Sequence, residues 1–173
     1  MLLILIPGLI LVALMIYVST RIKRAAAEAF EPETIETETF VIQKPDGFLN
    51  KVNHDPQYEF ESYSKDFGGL GAESIRQATA YLKVYSGISA DSPLAVILDA
   101  DVEVTGEISE VVNEIRYRVI EAKRTLKGVE FRLFYKIAER NARLYVFEIE
   151  ALAETNSDLL RKIETMLASF EVK

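Results

Sequence analysis

The order of apolar and polar positions divides the 173-residue chain into blocks of different period. Leu2 to Val18 (LLILIPGLILVALMIYV) is apolar without interruption, and no charged side chain occurs before Arg21. Wound as a helix, residues 2–20 span about 28 Å, close to the hydrocarbon thickness of a bilayer. Pro7 and Gly8 are tolerated in such a helix, and Tyr17 falls at interfacial depth. Arg21, Lys23 and Arg24 follow as a basic flank. A cleaved signal peptide carries its positive charge before the apolar run, the reverse of this order. The small residues Ala25-Ala26-Ala27 keep secretion after cleavage as the alternative. The pattern predicts a retained single-pass helix. Positive charge stays on the cytoplasmic side, so the N-terminus is expected outside and the remaining chain in the cytoplasm.

The anchor and its flank make up residues 1–24. The helix is expected to end near Ala29. Glu28 to Glu38 (EAFEPETIETE) holds five glutamates and a proline with little apolar period. It reads as an acidic, solvated linker over residues 25–38. Thr39 to Lys44 (TFVIQK) is β-branched and predicts a strand. Lys44-Pro45-Asp46-Gly47 predicts a turn, and Asn53-His54-Asp55-Pro56 a second. Tyr58 to Tyr63 sets Tyr58 and Phe60 against Glu59 and Glu61, the alternation of a half-buried strand.

Ile75, Ala78, Leu82 and Tyr85 fall at helical spacing, so Glu73 to Ser86 is read as a helix ended by Gly87. Leu94 to Leu98 (LAVIL), after the break at Asp91-Ser92-Pro93, reads as a buried strand. Asp101 to Ile108 alternates again. Ile115–Ala122, Val129–Ala138 and Arg143–Ala151 are three consecutive strand-like segments joined by short turns, an antiparallel meander. Leu159, Leu160, Ile163, Met166, Leu167 and Phe170 mark one apolar face of a closing helix, with Asn156 or Ser157 as its cap. Residues 39–173 are therefore read as one α+β domain, long enough to bury its own core.

Composition narrows the function classes. The chain has no cysteine and a single histidine, His54. That excludes a thiolate metal site, a disulfide scaffold and a multi-histidine centre. The formal net charge is −7, which argues against a general nucleic-acid binder. The charge is uneven. Residues 28–110 carry 17 acids and 5 bases, whereas residues 111–173 carry 10 acids and 12 bases. The bases of the meander, Arg116, Arg118, Lys123, Arg124, Lys127, Arg132 and Lys136, form a candidate partner surface if they share a face.

Other chemistry is sparse. Asp99, Asp101 and Glu103 lie at spacing two. On a strand they would present three carboxylates to one side, the oxygen ligands that calcium or magnesium takes. His54 beside Asp55 offers a general base without an evident nucleophile. Gly68-Gly69-Leu70-Gly71 precedes the expected helix but lacks any complete phosphate-binding motif. No cofactor is expected, and no catalytic residue is assigned.

The order of elements, with Pro45-Asp46-Gly47-Phe48 near the start and Ser169-Phe170 closing the last helix, resembles the PsbP-like family over about residues 39–172. The resemblance implies a central antiparallel sheet with helices on both faces, an α/β/α sandwich. It also implies a non-enzymatic part in assembling or stabilising a larger complex, often at a membrane, photosynthetic or respiratory. The expected function is thus a membrane-anchored accessory or scaffold subunit, with the bilayer and a membrane protein complex as partners. The alternative is a tethered small-ligand or lipid-binding module, its pocket lined by Tyr58, Tyr81, Tyr85 and Phe134.

Overall fold

The computed structural model describes residues 2–53 and 55–173, apart from the side chains of residues 2–11, 13, 25 and 26. In chain order the elements are α1 (Leu2–Glu28), β1 (Glu33–Glu36), β2 (Phe40–Lys44), β3 (Phe48–Asn50), β4 (Phe60–Ser64), β5 (Ala78–Ser86), α2 (Leu94–Ile97), β6 (Glu103–Val112), β7 (Ile115–Leu126), β8 (Val129–Arg140), β9 (Arg143–Leu152), α3 (Ser157–Ser169) and β10 (Glu171–Val172). The apolar run does wind into one helix of 27 residues with its basic flank. Among the described residues no helix is long and apolar enough to cross a membrane. The expected span falls largely outside the described side chains.

The chain after α1 is not a free spacer. Glu33–Glu36 pairs antiparallel with β2, and β10 pairs with the other side of β2, making a three-stranded sheet. Thr34 and Ile35 are good strand formers, and Ile35 packs on the core. Lys44 fixes the junction from below. Its side chain is buried, and Nζ donates to the carbonyl oxygens of Ala29, Glu31 and Phe48 at 3.1, 2.7 and 3.0 Å. Burial lowers the Lys44 pKa, opposed by the nearby Glu33 carboxylate. The three carbonyls match the three donors of an ammonium, so the buried charge has no unmet hydrogen bond.

The second sheet has seven strands in the order β3-β4-β5-β9-β8-β7-β6, all pairs antiparallel. The expected three-strand meander is β7-β8-β9, and β6 extends it by one strand. Each of its connections is a two-residue turn with both residues at positive φ: Asn113-Glu114, Lys127-Gly128 and Asn141-Ala142. Such turns match the right-handed twist of the strands they join.

Both faces of this sheet are buried. On one face α3 and β2 pack Ile163, Met166, Phe170 and Ile42 onto Leu82, Phe147 and Ile149. Asn156 caps α3 by accepting from the Leu159 amide at 2.9 Å. On the other face residues 87–102 form a strap, in which Leu94, Ile97 and Leu98 cover Ile120, Leu133, Ile137 and Val146. The strap is pinned along its length. Glu139 accepts from Ser89 Oγ and the Ala90 amide, Arg118 donates to the carbonyls of Ala90 and Ser92, and Arg116 pairs with Asp91. The architecture is α+β, with the antiparallel sheet between two covering layers.

Two elements differ from expectation. Ala78–Ser86 is a strand, not the C-terminal part of a helix. Ala78, Ala80 and Leu82 are buried on one side at period two. The spacing 78, 82 satisfies both periods, and nine residues of pairing with β9 decide the matter. Leu94–Ile97 is a single helical turn, not a buried strand, and has no fully buried residue. Pro93 precedes it with a φ of −53°, already suited to a turn of helix.

Candidate functional site

The structure separates most of the residues that spacing had grouped. Asp99 and Asp101 lie in the turn before β6, and only Glu103 stands on the strand. Asp99 is 3.6 Å from Arg124 and Glu103 is 3.3 Å from Lys123. No group of three potential ligands that could hold a metal occurs among the described residues. His54 lies outside the described residues. Asp55 accepts from the Gln57 amide at 3.1 Å, a turn contact. In the glycine loop the Gly69 amide donates to the Glu154 carboxylate at 3.1 Å, so an acid stands where a phosphate would have to sit.

The meander bases do not share a face. Arg116, Arg118 and Arg124 lie on the strap side, whereas Lys123, Arg132 and Lys136 lie on the α3 side; Lys127 is in a turn. Most are engaged within the chain. Arg118 meets Glu107 at 2.7 Å, Arg124 pairs with Glu150, and Arg132 lies over the Phe134 ring. Lys136 is 2% exposed, pairs with Glu110 at 3.0 Å and donates to the Ala168 carbonyl. The proposed tyrosine pocket is divided in the same way. Tyr81 and Tyr85 lie on the strap side, with the Tyr58 ring tilted against Tyr81 at 4.7 Å between centroids, while Phe134 is in the core under α3.

Two arrangements emerge that local pattern did not reveal. The first is a polar row across the strap side of the sheet. Glu148, nearly fully buried, takes Lys83 at 3.3 Å and the Tyr135 hydroxyl at 3.3 Å, and Arg124 pairs with Glu150 one step away. Burial raises the Tyr135 pKa, helped by Glu148, and pushes Tyr81 up to about 12. Burial also raises Glu150, against the pull of Arg124. For Lys83 burial works against the charge, but Glu148 together with Tyr85 and Tyr58 outweighs it and the pKa is raised. Two cations face two carboxylates here, so the row is internally balanced and holds strands β5, β9, β8 and β7 in register.

The second is the β6 edge of the seven-stranded sheet, whose opposite edge is the three-residue strand β3. β6 is ten residues long and pairs only with β7. Its side chains are almost all exposed, including Ile108 at 64% and Val111 at 69%. Thr105 is an extra residue that breaks the register between Val104 and Gly106, a bulge of the kind that bends an edge strand. From Gly106 to Val112 the strand is regular. Unpaired backbone amides and carbonyls along such an edge are a template for another strand.

Comparison with known proteins bears on the fold. No protein family matches the chain by sequence, and no curated protein does. Solved structures do. The cyanobacterial PsbP (CyanoP) of Synechocystis sp. PCC 6803 superposes with a TM-score of 0.57 at 12% identity, covering 83% of this chain and 94% of that one. The fold is PsbP-like. The Ran-binding protein Mog1p of Saccharomyces cerevisiae has a TM-score of 0.55 at 8% identity, over 83% and 96% of the two chains. LpqN of Mycobacterium tuberculosis, involved in cell envelope biogenesis, has 0.54 at 10%, over 83% and 91%.

The residues that carried the resemblance have structural work in this PsbP-like fold. Asp46 pairs with Lys162 of α3 at 2.8 Å, Gly47 has a φ of 82°, and Phe48 is fully buried. Ser169 Oγ accepts from the Gln43 amide at 2.9 Å, and Phe170 packs on Phe147 with ring centroids 5.1 Å apart. The two ends of the motif set thus meet where α3 closes over β2.

Proposed function

We propose that this chain is a membrane-held, non-enzymatic binding domain, an accessory subunit that docks on a larger membrane protein complex. The observation that carries the reading is the β6 edge, a regular, exposed strand with free backbone groups and outward-facing Ile108 and Val111. Natural sheets blunt such edges unless something covers them. Among relatives of the fold, Mog1p is described as Ran-binding, which accords with a protein-binding role.

The anchor is supported by the described part of α1. Leu14, Met15, Ile16, Tyr17 and Val18 are consecutive and all exposed, so apolar surface faces every direction around the helix. Such a helix needs lipid or protein around it. The basic flank Arg21, Lys23 and Arg24 supports a cytoplasmic domain with the N-terminus outside, because positive charge stays on the cytoplasmic side. The Lys44 contacts at Ala29 and Glu31 hold the domain on the end of α1 instead of on a loose tether.

The test is extraction of the full chain from native membranes in mild detergent. Wild-type protein is expected to resist carbonate washing and to co-migrate with a membrane complex at fixed stoichiometry. Ser109→Pro, which removes an outward-facing backbone donor from the edge strand, is expected to stay in the membrane but to lose at least tenfold of that complex. A chain released by carbonate, or a Ser109→Pro variant that retains its partner, contradicts the reading.

A further inference from the structure

If α1 is the anchor read above, on which this inference rests, its attachment decides which end of the domain meets the membrane. Glu33 lies opposite Lys44 in the β1–β2 pair, so α1 joins the domain at the end where β2 stops. A run of backbone hydrogen bonds continues from there. The Phe30 amide donates to the Ala27 carbonyl, Gly47 to Phe30 and Lys65 to Gly47, at 3.1, 2.8 and 2.7 Å. The antiparallel order of the strands brings residues 65–77, 127–128 and 153–156 to that same end. The described side chains of α1 are all exposed, so the helix leaves the domain there and does not fold back along it. Residues 21–28 carry the chain about 12 Å past the apolar run, just beyond the headgroup layer.

This end carries apolar surface on a braced loop. Leu70 is fully exposed and Phe67 half exposed. The Arg76 guanidinium lies 3.9 Å over the Phe67 ring, and its Nη1 donates to the Lys65 carbonyl at 2.6 Å. The Gly68 amide donates to Ile75 at 2.8 Å and the Ala72 amide to Gly69 at 2.9 Å, with Ala72 itself buried. These contacts hold the loop in one shape, with Leu70 turned to the outside. A hollow of about 260 Å³ separates Leu70 from Gly128 and Val129, and Val129 pairs with the half-exposed Leu126. Apolar side chains thus recur across this end of the sheet. Lys65, Arg76 and Lys127 stand there among Asp66, Glu73 and Glu130. Such a balanced rim does not select anionic lipid, so any attraction to a membrane has to be apolar.

We infer that this end of the sheet rests on the bilayer that α1 enters, with Leu70 seated at the headgroup–acyl boundary and Phe67 and Leu126 beside it. Removal of apolar area from water supplies the attraction. These few side chains would not hold a free domain on a membrane, but α1 keeps them at high local concentration against it. The domain then has two supports, α1 and the Leu70 loop, and β6 stands with its Glu103 end toward the lipid.

The chain has no cysteine, so single substitutions give clean labelling sites. Full-length Leu70→Cys, Val52→Cys and Tyr17→Cys are each labelled with the environment-sensitive fluorophore NBD and reconstituted into phosphatidylcholine vesicles containing doxyl-labelled lipid. Val52 is as apolar and almost as exposed as Leu70 but lies beyond β3, at the opposite end of the sheet. Tyr17 reports on the anchor. The label at Leu70 is expected to be quenched by the doxyl lipid at least threefold more than the label at Val52, and to the same extent when phosphatidylserine is added. Equal, weak quenching at Leu70 and Val52 with strong quenching at Tyr17 overturns the inference and leaves the anchor standing. Quenching at Leu70 that requires phosphatidylserine overturns the apolar seating. No quenching at Tyr17 removes the anchor, and the inference falls with it.

Discussion

Ala142 adopts a φ of 57° in the Asn141-Ala142 turn between β8 and β9. A side chain with a Cβ is strained there by roughly 1 kcal/mol, and Asn-Gly is the preferred pair. Ala142→Gly is therefore expected to raise stability by about 0.5–1 kcal/mol. Urea denaturation checks this: the midpoint rises and the slope is unchanged. A lower midpoint would mean that Ala142 makes contacts that outweigh the strain. The residue scale is also where the sequence was hardest to read. Lys44 looked like the first residue of a turn. Its enclosure by three carbonyls depends on Ala29 and Glu31, and nothing local marks it. The glycine loop matches no complete phosphate-binding motif, and the sequence alone gives no reason for its glycines. At Gly68 a Cβ would lie 2.5 Å from Leu152 Cδ1 and 2.9 Å from the Ala72 carbonyl oxygen, so close packing explains that glycine.

At the scale of elements, the three-strand meander and α3 were legible because their apolar positions repeat over eight residues or more and their ends carry turn or cap residues. Ala78–Ser86 was misread because Ala78 and Leu82 fit a period of either two or four, and the deciding contacts lie more than 55 residues away in β9. Leu94–Leu98 was misread because a five-residue apolar run carries no period at all. The polar row was invisible for a related reason: Lys83, Arg124, Tyr135, Glu148 and Glu150 come from four strands and meet only after pairing. That row makes a pH prediction. A tyrosine whose pKa is raised on folding holds its proton more tightly in the native state. The stability it contributes is complete below pH 10 and is lost as pH rises through the folded value. Tyr81, at about 12, and Tyr135, raised further by burial beside Glu148, should therefore ionise last. Absorbance near 295 nm should show phenolates lagging the bulk tyrosines until the protein unfolds, and a Tyr81→Phe, Tyr135→Phe double variant should remove the lag. Ionisation of every tyrosine near pH 10 with the fold intact would contradict the burial of the row.

For the whole molecule, the proposal rests on the 27-residue helix α1, the Lys44 contacts just beyond its end and the open edge. The order of elements made the PsbP-like fold legible, whereas the expected membrane span follows from hydropathy alone. The edge was not legible, because which strand lies outermost is set by the order β5-β9-β8-β7-β6, where β9 inserts beside β5 and leaves β6 uncovered. The meander bases looked like a surface for the same reason in reverse. Strand alternation sends them to both faces, where glutamates of the same chain engage most of them. The central claim is that β6 is covered when the protein is at work. Hydrogen–deuterium exchange of the full chain tests it most directly, comparing native membranes with dilute detergent. The outward-facing amides of residues 106–112 should exchange at least tenfold more slowly in membranes, with β7 to β9 unchanged. Equal, rapid exchange of β6 in both settings would show an edge that nothing covers, and the account would fail.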